Sequence, residues 1–307
     1  MSNKATRDHF GEYLIKLGEK HKNIFVTGCD LATATRSIDF KKKFPDRYVE
    51  CGISEANAIS ISAGLFLEGF RPLLCSFGHF LTGKWLEIFQ SVGLNNTGVV
   101  LVGTHAGLAI GKDGPTQMGL RDIGLMKMLP NLEIIHPIDK FETVSAMEYI
   151  ATTNHPIYLR LCRQPVNEYH NSDYKFNSKK IDVLQNGNEY LVFGQGGTID
   201  PIMLSAKRLE KEKNIKITVV NISSLPYDEN SFKKVLKDHK KILVVEDHFN
   251  KGGIYEEIIK SLYKNKFITD IRHIAVNDYA QAADPNELYK SYKMDETSIF
   301  NTIYEWK

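Results

Sequence analysis

With 307 residues, 42% of them hydrophobic and 25% charged, the chain has the composition of a soluble globular protein long enough for two domains. A formal net charge of +2 supplies no basic excess for nucleic acid or an anionic membrane, so small-molecule and protein partners are expected. The four cysteines, Cys29, Cys51, Cys75 and Cys162, show no CxxC spacing, which argues against zinc and for reduced thiols.

The N-terminal stretch MSNKATRDHFGEYLIKLGEK is polar and amphipathic and has no apolar signal core, and no later run approaches the ~18 apolar residues of a membrane span. A cytoplasmic protein is expected. Short apolar runs then alternate with segments long enough for helices: NIFVTGCD, YVECGI, FRPLLCSF, GVVLVGTHA, LEIIHP and PIYLRLCR. Unbroken runs of this kind predict strands buried on both faces, as in a parallel sheet covered by helices. The pattern stops over residues 164–188, a polar stretch without period, and a second series follows: EYLVFGQGG, a helix from about Thr198 to Lys213, IKITVVNI, a helix near Asn230 to Lys237, KILVVEDH, a helix from about Gly253, and IRHIAV. The expected organisation is α/β in two domains, residues 1–168 and a smaller one over 189–307, joined by a linker over 169–188 that has room for one short strand.

Ligands of an open parallel sheet sit at the carboxyl ends of its strands, which picks out the residues just after each run. These are Asp30 with the hydroxyl-rich LATATRS, then Gly52-Ile53-Ser54-Glu55, Phe77-Gly78-His79-Phe80, the glycine-rich THAGLAIGKDGPTQM, and Arg163. In GISEANAISISAGL a strand end turns into a helix, with Ser54 as cap and Glu55 in the first turn. A carboxylate there complements the helix dipole. Because the helix continues small and apolar all round, its start is expected to be buried, where a carboxyl favours its protonated form and suits acid/base work.

The order GIxEANxxxxxAGL, CSFGHFLTGKWLEIFQSV, THAGLAIGKDGPTQ and YLRLCRQP resembles the carboxyl-terminal half of a transketolase, in particular the second subunit of the split, two-chain transketolases. The resemblance runs over nearly the whole chain and implies a pyrimidine-binding domain followed by a transketolase C-terminal domain. It implies that Glu55 bonds N1′ of the aminopyrimidine of thiamine diphosphate, activating the cofactor for attack on a ketose carbonyl. Phe77 and Phe80 match the aromatic positions that enclose the pyrimidine ring, and Asp30 an acidic position near the cofactor. On the substrate side, His105 and Asp113 match positions that contact sugar hydroxyls or phosphate, and Arg7 and Arg163 match arginines that grip phosphate by charge-assisted bonds.

Three positions depart from the family pattern. Gln117 stands where a histidine is usual, Lys112 replaces an acid, and Ala34 falls where a phosphate-binding serine is expected, with Thr33, Thr35 and Arg36 close enough to stand in for it. Gln117 can exchange hydrogen bonds with a sugar but cannot shuttle a proton near neutral pH. The chain also lacks the GDG motif, followed about thirty residues later by Asn, with which the family binds Mg²⁺ and the diphosphate. The resemblance therefore implies an obligatory diphosphate-binding N-terminal subunit that supplies the Mg²⁺, in a heterotetramer of two copies of each chain. SAGLFLEGF and GHFLTGKWLEIF are the expected interface segments. The residues also fit the β subunit of a 2-oxo acid dehydrogenase, a deoxyxylulose-phosphate synthase, or a noncatalytic subunit that keeps the fold.

Overall fold

The computed structural model describes residues 4–236 and 239–306. Its first sheet takes strands β1 (Ile24–Gly28), β2 (Tyr48–Glu50), β3 (Arg71–Phe77), β4 (Val100–Thr104), β5 (Glu133–Ile135) and β6 (Ile157–Arg160). Its second takes β7 (Asp182–Gln185), β8 (Tyr190–Gly194), β9 (Thr218–Asn221), β11 (Lys241–Phe249) and β12 (Asp270–Val276), while β10 (Ser224–Leu225) joins the first. The orders are β10-β5-β6-β4-β3-β1-β2 and β12-β11-β8-β9-β7. All pairs are parallel except the two at the edges, β10 on β5 and β7 on β9.

Each apolar run of the sequence is a strand, and the central ones are buried end to end. Successive residues serve opposite faces. Leu73 and Cys75 of β3 pack with Phe10, Leu14 and Leu17 of the helix Thr6–Lys20 and with Met147 and Ile150 of the helix Lys140–Thr152. Leu74 between them packs toward Ala58 and Ile59 of the helix Glu55–Leu67. At ~1.5–3 kcal/mol for each fully buried aliphatic side chain, this two-sided burial is what fixes the register.

Two features depart from the expectation. The strand Ser224–Leu225, which lies between second-sheet strands in the sequence, pairs with the edge of the first sheet instead of joining the second. It is too short to leave a periodic signal. The segment after residue 164 contains the expected short strand, β7, but is tied down: Asp139 Oδ2 accepts the backbone N–H groups of Tyr169 and His170, and Phe176 N–H donates to Ser145 Oγ. The helix expected near Asn230–Lys237 spans Glu229–Leu236, Lys237 lying outside the described residues. No helix among the described residues is long and apolar enough to cross a membrane.

Candidate active site

The helix Glu55–Leu67 begins directly behind the end of β2, with Ser54 at its N-cap, although the Ser54 side chain makes no capping bond. Its buried positions are Glu55, Ala58, Ile59, Ser62 and Ala63, a helical stripe, and Leu67 on the far side is 73% exposed. The helix is therefore buried at its start, as expected, but not all round. Ser62 Oγ donates to Ala58 O and lies 2.8 Å from Thr27 Oγ1 of β1, which locks the helix against the sheet.

Glu55 is buried at 8% exposure and lies beside the end of β3, where Ser76 Oγ donates to its Oε1 at 3.0 Å. Oε2 has no hydrogen-bond partner among the described residues. Glu55 lines a pocket of about 500 Å³ together with Cys29, Asp30, Ile53, His79 and Phe80. Burial, and then the negative charge of Glu55, push the Cys29 thiol up to about 12, so it stays protonated. Asp30 is exposed with φ 58, its N–H donating to Glu50 Oε1 at 2.8 Å.

Phe77 and Phe80 stack with ring centroids 5.2 Å apart and planes at 15°. Only Phe80 lines the pocket; Phe77 is buried and its other neighbour is His105, at 3.9 Å between centroids. Phe77 thus joins the Glu55 pocket to a second cluster. There Arg7 Nη1 donates to His105 Nε2, and His105 Nδ1 lies 2.9 Å from Thr104 Oγ1. Since an arginine can only donate, His105 carries its proton on Nδ1 and gives it to Thr104. Burial first, then the charges of Arg7, Arg163 and Arg36, press the His105 pKa down to about 3. The imidazole is neutral at any physiological pH.

Arg7 also donates to Ala34 O at 3.2 Å, and burial lowers its pKa to about 10, still charged at neutral pH. Arg163 Nη1 donates to Ile110 O at 2.8 Å and to Asp113 Oδ2 at 3.0 Å, both side chains being about 40% exposed. Gln117 is half-buried; its N–H closes a turn on Gly114 O, and its side-chain amide makes no hydrogen bond among the described residues. Lys112 is exposed. Of the three stand-ins for a serine at position 34, Thr35 is corrected: its hydroxyl is buried and donates to Leu31 O at 2.9 Å, while Arg36 pairs with Asp8 at 2.6 Å and Thr33 is exposed.

The sequence places His79 at the sheet edge but assigns it no role. Its Nδ1 donates to Met118 O at 3.0 Å, which ties the pocket wall to the glycine-rich loop, and burial lowers its pKa. Its position just after β3 was the only signal. Within that loop Gly107 has φ +77, and a Cβ there would lie 1.9 Å from Asp247 Oδ2, so only glycine fits.

The donor set fits an aminopyrimidine: one carboxylate oxygen fixed, the other free, and an aromatic wall beside it, with Asp30 and Lys84 also lining the pocket. The residue comparisons agree. Residues 2–168 match the pyrimidine-binding domain of transketolase and residues 179–299 its C-terminal domain. A Methanocaldococcus jannaschii protein named for the C-terminal section of transketolase is 31% identical over 98% of this chain and 96% of its own length. Human transketolase is 32% identical over 97% of this chain, which spans 48% of that enzyme. A split-gene transketolase, solved as an inactive β4 tetramer, superposes with TM-score 0.89 at 28% identity, covering 98% of both chains. The chain belongs to the transketolase family of thiamine diphosphate-dependent enzymes.

Proposed function

We propose that this chain is the second subunit of a two-chain transketolase that moves a two-carbon ketol unit from a ketose phosphate to an aldose acceptor. Residues 1–168 form its pyrimidine-binding domain, 169–188 the linker and 189–307 the C-terminal domain. The observation that carries the reading is Glu55, buried on Ser76 with its second oxygen open beside Phe80. Thiamine diphosphate, when bound, supplies a carbon nucleophile for the ketose carbonyl. Glu55 would bond and protonate the ring nitrogen of the aminopyrimidine, Phe80 would wall the ring with Phe77 stacked behind it rather than facing the ring, and Asp30 would stand at the pocket edge. Arg7, Asp113, Gln117 and Arg163 would bind the sugar phosphate, and His105, its two ring nitrogens engaged by Arg7 and Thr104, would hold Arg7 in place for it. His105 serves there as a fixed, uncharged group, with Arg7 and Arg163 supplying the positive charge.

The described residues hold no cluster of three or more His, Cys, Asp or Glu suited to a metal, and the GDG motif is missing from the sequence. Diphosphate and Mg²⁺ are therefore assigned to a partner, the transketolase N-terminal subunit, in a cytoplasmic heterotetramer with two copies of each chain. The C-terminal-section relative, of nearly this chain's length, supports that division. The test is co-expression with such a subunit and assay with Mg²⁺, thiamine diphosphate and a panel of ketose and aldose phosphates, with pyruvate as the alternative donor. Ketol transfer by the pair and none by either chain alone is expected. Turnover of pyruvate instead would move the chain to the deoxyxylulose-phosphate synthase or 2-oxo acid dehydrogenase type, and activity of the isolated chain would remove the partner.

A further inference from the structure

The glycine-rich loop between β4 and residue 120 is held by the second domain as well as by the domain that bears it, whose His79, Arg160 and Arg163 bond its Met118, Gly119 and Ile110 carbonyls. Gly107 N–H donates to Gly119 O at 3.0 Å and closes the neck. Beyond the neck, Leu108, Ile110, Met118 and Leu120 are buried in the core of the second domain, in one cluster with Ile199, Val245 and Leu288. The end of β11 grips both sides of the loop. Buried Asp247 accepts the Leu108 N–H on Oδ1 at 2.8 Å, and Phe249 N–H donates to Leu120 O at 2.7 Å. Arg160 Nη2 bridges Gly119 O at 3.0 Å and Asp247 O at 2.9 Å, and its Nε is held by Asp122 at 2.7 Å. The other Asp247 oxygen accepts the Tyr289 hydroxyl at 2.9 Å, and that hydroxyl accepts from Gln164 Nε2 at 2.8 Å.

We propose that Asp247, held by Tyr289, is the positioning residue of this loop, so that the second domain sets how tightly the enzyme grips its substrate. The loop carries Asp113 and Gln117, and Ile110 O is the anchor of Arg163. None of these touches Asp247; it acts through the backbone at Leu108. The kinetic part of the proposal rests on the transketolase reading, while the structural part does not.

Two measurements separate them. In the isolated chain, amide exchange at Leu108 is expected to speed up by about tenfold or more in Asp247→Ala, the factor expected when a buried bond to a charged group is lost. Asp247→Asn keeps an acceptor at Oδ1 and should exchange near the wild-type rate. Tyr289→Phe, which leaves the core filled, should shift exchange about threefold in the same direction. In the complex with the N-terminal subunit, Asp247→Ala should raise the KM for the ketose phosphate about tenfold with kcat changed less than about threefold, and Asp247→Asn should restore it. If Asp247→Ala fails to fold, Tyr289→Phe decides by the same two readouts. Leu108 exchange unchanged in a folded Asp247→Ala or in Tyr289→Phe overturns the positioning role, as does a loosened loop with an unchanged KM. A complex that transfers no ketol unit refutes the reading of the reaction and leaves the exchange result standing.

Discussion

His105 is held neutral by its surroundings rather than by its own chemistry. It is 3% exposed, capped on Nε2 by Arg7 and close to two more guanidinium groups, and its pKa falls from 6.5 to about 3. The unfolded chain therefore takes up a proton near pH 6.5 that the folded chain refuses until about pH 3. Between these values the unfolded state binds more protons, so this residue lowers stability as pH falls from 6.5 toward 3. Replacement by Asn, which tolerates the left-handed φ of 59 and never titrates, should flatten the loss. The check is the urea midpoint followed across this acid range in His105→Asn and wild type. Parallel curves would show that the imidazole is not under the pressure described here.

At the scale of elements, the segment after residue 164 shows what a sequence hides. Composition marks it as a linker, yet the His170 ring lies between Asp139 at 2.9 Å and Asp182 at 2.7 Å, and Tyr174 donates to Glu142 at 3.0 Å. Burial alone would lower the His170 pKa; the bonds to Asp139 and Asp182 outweigh it and raise the value to about 10. A raised folded pKa contributes stability that is complete below the unfolded value of 6.5 and is lost as pH rises through about 10. Tryptic cleavage at Lys175, Lys179 and Lys180, normalised to an unstructured peptide, should therefore accelerate from pH 7 upward, and not in His170→Asn. A wild-type rate that is flat with pH would remove the clip.

The strands were legible because their two-sided burial writes unbroken apolar runs, and Glu55 because a helix start follows a strand end. The clip and the gripped loop were not, since Asp139 with His170 and Leu108 with Asp247 lie far apart in the chain and leave no local pattern. The same holds for Thr35, whose hydroxyl turns inward on Leu31, a choice made by the turn and not by residue type. The resemblance supplied the list of site residues. What the structure added is that Phe77 bridges two clusters and that His79 ties one of them to the loop.

For the whole molecule the outstanding feature is an apolar face beside the candidate pocket. Ile53 is 85% exposed, Leu67 73%, Leu86 58% and Leu94 71%. The helix Glu55–Leu67 packs on the segment from Trp85 to Leu94, so Leu67, Leu86 and Leu94 belong to neighbouring elements, while Ile53 lies two residues before that helix and lines the pocket. Exposed apolar patches of this kind mark association surfaces, and obligate interfaces commonly bury about 2,000 Å² or more. Both segments expected to form an interface contribute to the face, Leu67 from SAGLFLEGF and Leu86 from GHFLTGKWLEIF. Light scattering on the paired chains should show Leu67→Glu with Leu86→Glu abolishing assembly, while circular dichroism of the isolated chain stays as in wild type. Assembly that survives both changes would place the interface elsewhere.

On the proposed reading, a buried carboxylate of this chain, Glu55, completes a cofactor site whose other half lies on a second chain. The most direct test is the steady-state rate of ketol transfer by the reconstituted pair with Glu55→Gln, a change that keeps size and the Ser76 contact but removes the acid. A fall in kcat of at least about a hundredfold is predicted, the scale of a lost acid/base group. A Glu55→Gln enzyme that keeps most of its rate would show that the carboxyl of Glu55 does not act as an acid in this site.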